Sequence, residues 1–364
     1  MAVTARYARG RNHLSHLVIL LTVLAGAIAV LPIAAAIFRG AGSIAVTRTA
    51  FATAPAGDYL LLGQVGEAED VVAAAPADAS QPALEIARVP HLPGFASNGA
   101  VSPDGRYLAL VVADSGSRSQ PLASLIAVEL ETGTVTRLLG SLDYLQHPVW
   151  AADGSSIVVT QSLDGAPASF TFVRVHLDGA LTPLGGADGV AAAFPVGFDG
   201  SGRFVAAVID GSGSAILRDG AIVARISSFI TRDWQLSPDG SRVAFIETNT
   251  GGGLRYLARL ASLDGSAEAA AQSVPAEGQQ LGVAWAPGGK PSFGSEPGGG
   301  VSAQSSAAGF DIPLAYTPSG RALAVRHWTG ASFSAPGRMS IEVVAGESRQ
   351  RLEGYTEFYG WAAR

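Results

Sequence analysis

Short apolar runs alternate with polar turn signals along this chain from about residue 57 to its end. The clearest example is VSPDGRYLALV, Val101 to Val111. Pro103 sets φ for the second position of a tight turn, Asp104 can hydrogen-bond nearby backbone, and Gly105 accepts the positive φ that closes such turns. The apolar run after the turn has the length and composition of a strand. The segment therefore predicts a strand, a turn and a second strand.

Weaker copies of this segment recur along the chain, each with a glycine at the position of Gly105. These marker glycines are Gly57, Gly154, Gly202, Gly240, Gly289 and Gly320. Four residues before the marker the copies carry Val101, Trp150, Phe198, Leu236, Trp285 and Tyr316. Three residues after it they carry Leu60, Leu108, Ile157, Val205, Val243 and Leu323, with Ser292 as the polar exception. Positions filled so consistently by apolar residues predict interior packing.

A second turn signal follows most of the markers, in short turns that contain Gly133, Gly179, Gly220, Gly265 and Gly346. Asp-Gly between apolar runs is a strong hairpin signal. Each repeat therefore predicts four antiparallel strands, with a period close to that of a propeller blade.

The two ends of the repeat region are complementary fragments. The chain finishes on FYGWAAR, the first half of a repeat with Trp361 at the large apolar position, and the region opens on PAGDYLLL, the second half. A closed ring in which one blade takes strands from both ends accounts for both fragments. We therefore predict an all-β, seven-bladed β-propeller at residues 57–364, closed by pairing of its N- and C-terminal strands; six or eight blades fit the spacing less well.

The repeats resemble the PD40 (WD40-like) repeats of the TolB C-terminal domain β-propeller family. The resemblance rests on SPDG-type turns with a large apolar residue four places before the glycine, and VSPDGRYLAL and LSPDGSRVAF are the closest copies. It implies a propeller for nearly everything after residue 56. It implies no particular activity, because the family ranges from assembly partners to accessory domains of enzymes.

The first 56 residues have a different pattern. Residues 1–13 are basic and contain no acid, and residues 14–38 include an uncharged apolar run from Leu17 to Phe38. A helix of that length spans a hydrocarbon core of about 30 Å. We predict a transmembrane signal anchor at residues 14–38 and a linker at residues 39–56; a cleaved secretory signal is the alternative.

The flanking charge favours a cytoplasmic N-terminus, because three arginines precede the apolar run. The propeller is then expected on the extracytoplasmic side of the cytoplasmic membrane. The chain has no cysteine, which excludes disulfides and thiolate metal sites. Its net charge is −6, a sign that disfavours nucleic acid as a partner.

No motif for catalysis, a cofactor or a metal ion stands out. The histidines lack metal-ligand spacing, there is no G-x-S-x-G, and the acidic stretch between residues 66 and 82, which includes Asp70, is expected to be an exposed strand and loop. We therefore predict no catalytic residue, no cofactor and no metal. The Gly- and Pro-rich residues 288–309 predict a short irregular blade, or else a flexible flap or a docking loop for another chain.

The fold itself indicates where a ligand or partner would bind. Loops that lead into the innermost strands of a propeller converge at one mouth of the central channel. The candidate channel-mouth or partner surface consists of Asn98, Asp143, Tyr144, His147, Arg232, Asp233, Gln280 and Glu357.

Two functions remain open on these observations. The first is a non-catalytic, membrane-anchored propeller that serves as a protein-protein interaction module or as an accessory subunit of a membrane or envelope complex. The second is a channel-mouth ligand-binding protein, or a lyase or hydrolase, acting on cell-envelope polysaccharide or peptide.

Overall fold

The computed structural model describes residues 50–78, 81–162, 169–251, 253–263, 272–273, 279–296 and 309–364. A short 3₁₀ helix, Ala50–Thr53, precedes the strands. Within the described residues the strands form six four-stranded antiparallel sheets and one two-stranded sheet. The predicted all-β propeller is confirmed.

The strands in chain order are β1 Asp58–Val65, β2 Glu69–Pro76, β3 Leu84–Pro90, β4 Asn98–Val101, β5 Tyr107–Ser117, β6 Gln120–Glu129, β7 Val135–Asp143, β8 Val149–Trp150, β9 Ser156–Ser162, β10 Ser169–His176, β11 Leu181–Asp188, β12 Ala192–Phe198, β13 Phe204–Asp210, β14 Gly213–Arg218, β15 Ala221–Ser227, β16 Ile230–Leu236, β17 Arg242–Asn249, β18 Arg255–Ser262, β19 Gln272–Ser273, β20 Gln279–Trp285, β21 Pro291–Glu296, β22 Phe310–Tyr316, β23 Leu323–Trp328, β24 Met339–Ala345, β25 Ser348–Leu352 and β26 Glu357–Ala363. The sheets are β26-β1-β2-β3, β4 to β7, β8 to β11, β12 to β15, β16 to β19, β20-β21 and β22 to β25.

One sheet joins the two ends of the propeller. The last strand, β26, pairs antiparallel with β1 from Asp58↔Ala363 to Gly63↔Glu357. Beyond the pairing, Gly57 and Arg364 exchange two backbone hydrogen bonds of 3.0 Å each. Closing the ring in this way pairs the inner edge of β1 and completes a fourth strand for its sheet.

The marker glycines form the turns that their sequence predicts. From Gly105 to Gly320, all six have φ between 67° and 80°, a left-handed conformation that a side chain disfavours. The Gly105 amide donates to the Ser102 carbonyl at 2.9 Å, and the other five repeat this bond. The Asp104 carboxylate accepts the Ser102 hydroxyl at 2.6 Å and the Arg106 amide at 3.1 Å. Each turn therefore links an innermost strand to the second strand of its blade.

The packing positions are also as predicted. Three residues after the marker, the side chains are fully or almost fully buried at Leu60, Leu108, Ile157, Val205, Val243 and Leu323. They lie in five apolar clusters between neighbouring blades, with Val205 and Val243 in the same cluster. The core is therefore a series of layers between blades.

Tryptophans at the large apolar position connect one blade to the one before it. The indole Nε1 of Trp150 donates to the Ala100 carbonyl at 2.8 Å, that of Trp285 to Gln235 at 3.0 Å and that of Trp361 to Ala315 at 3.0 Å. Each acceptor lies one residue before the large apolar position of the preceding blade. The repeat thus encodes a hydrogen bond across the blade interface in addition to apolar contact.

The prediction of seven blades is not supported. Six blades have four strands, and the remaining sheet has two strands, β20 and β21, among the described residues. Within this sheet, Pro291 begins β21 without an amide donor, and a side chain at Gly294 would lie 2.2 Å from the Asp311 carbonyl. Of residues 288–309, the predicted irregular blade or docking loop, residues 297–308 lie outside the described residues.

In the part of the chain that the structure describes, no helix is long and apolar enough to cross a membrane. The predicted anchor, residues 14–38, lies outside that part. It stays a prediction from the sequence.

The interblade hydrogen bond is testable by Trp150→Phe, which removes the indole donor and leaves the partly buried Ala100 carbonyl without it. We expect the free energy of unfolding to fall by about 1–3 kcal/mol. Trp328→Phe is the matched control, since the Trp328 Nε1 is buried and has no partner among the described residues. Equal losses in the two variants, measured by chemical denaturation, would contradict the proposed role of the bond.

Candidate functional site at the channel mouth

Every innermost strand starts at the same end of the ring, which we call the mouth face. It contains the loops that lead into the innermost strands and the loops between the second and third strands of each blade. The opposite end, the turn face, contains the marker turns and the hairpins between third and fourth strands. The predicted candidates lie on the mouth face: Asn98 begins β4, Asp143 ends β7, Tyr144 and His147 precede β8, Arg232 and Asp233 are in β16, Gln280 is in β20 and Glu357 begins β26.

A buried acid that sequence analysis placed on the surface organises one side of the mouth. Asp70 is fully buried, because β2 turns this side chain inward beside its apolar neighbours. Its carboxylate lies 3.0 Å from His91 Nε2 and accepts the Ser97 amide at 2.8 Å. His91 Nδ1 lies 2.8 Å from the Leu92 carbonyl. The expectation of an exposed acidic loop was therefore wrong at Asp70, which fixes the segment leading into β4.

Tyr144 holds the same segment from the next blade. Its hydroxyl donates to the Ala96 carbonyl at 2.5 Å and accepts the Ala96 amide at 3.1 Å. Asn98 Nδ2 donates to the Tyr144 carbonyl at 3.2 Å, and the Tyr144 ring meets Phe95 edge-on at 5.0 Å. Burial raises the pKa of the Tyr144 phenol. Two predicted residues, Asn98 and Tyr144, are thus in direct contact.

Glu357 is the acid at the start of the last strand. Its Oε2 lies 3.3 Å from Arg326 Nη2. Burial raises the pKa of the Glu357 carboxyl, and the negative charge of Asp70 adds to this, while Arg326 opposes it. A partly desolvated carboxylate near a second acid is stabilised by binding a proton or by accepting a hydrogen bond.

His147 connects this side of the mouth to the opposite one. Burial lowers the pKa of its imidazole, Arg326 lowers it further, and Asp233 opposes the shift. The residue as a whole is exposed to solvent. Protein atoms nevertheless surround the imidazole at the mouth, and the loss of water around it is the main cause of the lowered pKa. Asp233 and Arg326 belong to different blades, so the charges of His147, Asp233 and Arg326 interact across the channel opening.

Asp233 has an unusual backbone. Its φ is 56°, in the left-handed region that non-glycine residues rarely adopt. It lies at a register shift between β16 and β17, and the matching position in β20 is Gly282 with φ of 63°. Arg232 Nη1 binds the Asp233 carboxylate at 2.6 Å and stacks over Tyr256. Asp233 therefore occupies a position whose backbone conformation glycine would adopt with less strain. Backbone strain of this kind is typical of functional positions.

Two predicted candidates have local structural roles. Asp143 Oδ1 accepts the Leu145 amide at 3.1 Å, which caps the loop. Gln280 is buried, and its Oε1 accepts the Ala258 amide at 2.7 Å from the neighbouring blade.

Several buried polar atoms near Asp70 and Glu357 have no hydrogen-bond partner among the described residues. They are Ser97 Oγ, Arg326 Nε, Thr356 Oγ1 and Tyr359 Oη. Burial and the charges of Asp70 and Glu357 raise the pKa of the Tyr359 phenol. Unpaired buried groups are rare in proteins and ordinarily bind water or a ligand. These atoms therefore form a polar cluster beside Asp70 and Glu357.

A shallow recess of about 370 Å³ lies away from the mouth, at the turn-face ends of three innermost strands. It is bounded by residues of β8, β12 and β16 and their adjoining turns: Val149, Trp150, Ala152, Val196, Gly197, Phe198, Trp234, Gln235 and Leu236. Among the described residues, no group of three or more His, Asp or Glu side chains could hold a metal ion.

The fold is shared with known proteins. TolB from Acinetobacter baumannii is 15% identical and has a TM-score of 0.51, covering 85% of this chain and 67% of its own. The periplasmic gluconolactonase of Pseudomonas aeruginosa is 14% identical with a TM-score of 0.52, covering 84% and 99%. An oligogalacturonate lyase in complex with manganese is 12% identical with a TM-score of 0.50, covering 78% and 83%.

No protein-family model and no curated protein matches the chain by sequence. At these identities the likeness to solved structures shows the β-propeller fold and leaves the activity open. The resemblance of the repeats to TolB-like PD40 propellers agrees with this fold.

The raised pKa of Glu357 gives a pH-dependent prediction for Glu357→Gln. The unfolded carboxyl titrates near 4.5 and the folded one at higher pH, so the wild type loses stability as the pH rises from 4.5 through the folded pKa. The variant cannot lose this proton, and its amide oxygen can still accept from Arg326.

We therefore expect Glu357→Gln to be more stable than wild type at pH 7 and equal to it below pH 4.5, as measured by thermal unfolding across pH. Glu353→Gln, at an 82% exposed side chain, is the control and should change little. A loss of stability at pH 7 in Glu357→Gln would show that the charged carboxylate is favoured in the fold.

Proposed function

We propose that the chain is a non-catalytic, membrane-anchored, extracytoplasmic β-propeller that binds other envelope or membrane-complex proteins through its mouth face. In this proposal the sheet β20-β21 is a short seventh blade. The distribution of exposed apolar side chains carries the proposal.

Most of the large apolar side chains that are exposed in the described residues lie on or beside the mouth face. Those of the mouth face are Val65, Leu122, Leu145, Ile230, Leu254 and Phe333; those of the turn face are Leu181 and Ile222. Leu145 is the most exposed, at 73%. An excess of exposed apolar side chains on one face, beside charged ones, favours that face as the protein-binding surface.

The mouth face is also held in a fixed shape, which lowers the entropy lost on binding. Tyr144 fixes the segment leading into β4, as described above. Above the short blade, the Phe333 ring meets Tyr256 edge-on at 5.6 Å, and the Phe333 amide donates to Glu296 Oε2. The loop between β23 and β24 thus spans the short blade and presents Phe333 at the surface.

A second candidate function is the binding of a small polar ligand, or chemistry on one, at the mouth. The observation in its favour is the group of Glu357, Arg326 and His147, whose acid and imidazole have pKa values displaced by burial. Unpaired buried polar atoms beside this group add support. The substrate of this second function would be a polysaccharide or peptide fragment of the envelope. No residue is assigned to a catalytic step.

The docking proposal is tested with the full-length protein, purified from its native membrane in a mild detergent with the proteins that migrate with it. We expect the double variant Leu145→Asp/Ile230→Asp to lose a defined partner by at least tenfold in quantitative mass spectrometry, since each change places a charge in an apolar contact. Leu181→Asp/Ile222→Asp makes the same change on the turn face and should retain the partner.

Equal retention in both double variants would overturn the docking proposal. Circular dichroism and thermal unfolding of both variants control for folding. All four positions are already exposed, so both variants should fold as the wild type does.

A further inference from the structure

The direction of β1 shows on which face of the ring residues 50–56 lie. Gly57, just before β1, pairs with Arg364, just after β26, and this point is on the turn face. From there β1 runs towards the mouth face, which it reaches at Val65. The chain therefore enters the propeller from the turn face.

The residues before β1 are fixed to that face. Phe51 is buried, and its ring meets Tyr59 edge-on at 5.3 Å. The Arg364 guanidinium lies 5.8 Å from the Phe51 ring centre, and its Nε donates to the Ala54 carbonyl at 2.9 Å. The Tyr59 hydroxyl donates to the Pro55 carbonyl at 3.0 Å. Residues 50–56 are therefore part of the folded domain, although sequence analysis assigned them to the linker.

This attachment shortens the segment available to reach a membrane. Of the predicted linker, residues 39–49 remain, and 11 residues at about 3.5 Å each span at most about 40 Å. To place the anchor on the mouth side, the segment would have to pass outward around the blades and then along their height. The eight residues of β1 alone rise about 26 Å, so little length would remain for the path around the ring.

We propose that the turn face of the propeller is directed towards the bilayer and that the mouth face is directed away from it, towards soluble or laterally associated envelope proteins. This inference rests on the predicted anchor of the proposed function. The short tether and the fixed residues 50–56 set the orientation, and the exposed apolar side chains of the mouth face are then free for partners.

The orientation can be measured because the chain has no cysteine, so that single cysteines can be introduced without background labelling. Full-length protein is reconstituted in liposomes that contain a nickel-chelating lipid, and spin labels are placed at Glu347→Cys and Leu181→Cys on the turn face. Leu145→Cys and Leu254→Cys carry the labels on the mouth face. All four side chains are exposed.

We expect relaxation enhancement by the lipid-bound nickel to be at least threefold greater at both turn-face positions than at both mouth-face positions. Equal or reversed enhancement, with the protein bound to the liposomes, would overturn the orientation and leave the anchor intact. Protein that fails to float with the liposomes would overturn the anchor and the orientation with it. Partner binding by the mouth-face variants is measured separately. Its loss tests the proposed function independently of the orientation and of the anchor.

Discussion

The antiparallel pairing of β26 with β1 is the interaction on which the rest of the structure depends. It turns a linear series of sheets into a ring, so that every blade packs between two others and every innermost strand starts at one mouth. It also fixes Gly57 and Arg364 together on the turn face. Both the convergence of polar side chains at the mouth and the side from which the chain enters follow from this closure.

The repeat allowed the fold to be predicted in some detail. Left-handed glycines such as Gly105, buried positions such as Leu108 and interblade donors such as Trp361 are local requirements that each copy must satisfy. The complementary fragments at the two ends indicated how the ring closes. The count of complete blades was less secure, because Pro291 and Gly294 weaken the repeat without showing how many strands remain.

The mouth could be predicted only in part. A fixed distance along the sequence from the marker glycine identifies residues in or just before the innermost strands, such as Asn98, His147 and Asp233. Asp70 lies in a third strand, Arg326 lies in a second strand and His91 follows a fourth strand, all at positions for which the repeat has no rule. One signal in the sequence was available: Asp70 occupies an inward-facing position of β2, where an acid is unexpected. Interactions between distant segments, rather than local pattern, bring these groups together.

The central claim is that partners bind the mouth face, and hydrogen-deuterium exchange of the full-length protein with and without its co-purified partners tests it most directly. The account predicts partner-dependent protection of the mouth-face loops at residues 143–148 and 329–338, with unchanged exchange in the turn-face hairpins near Gly179 and Gly346. Protection confined to those hairpins, or absent from both faces while the partner remains bound, would contradict it.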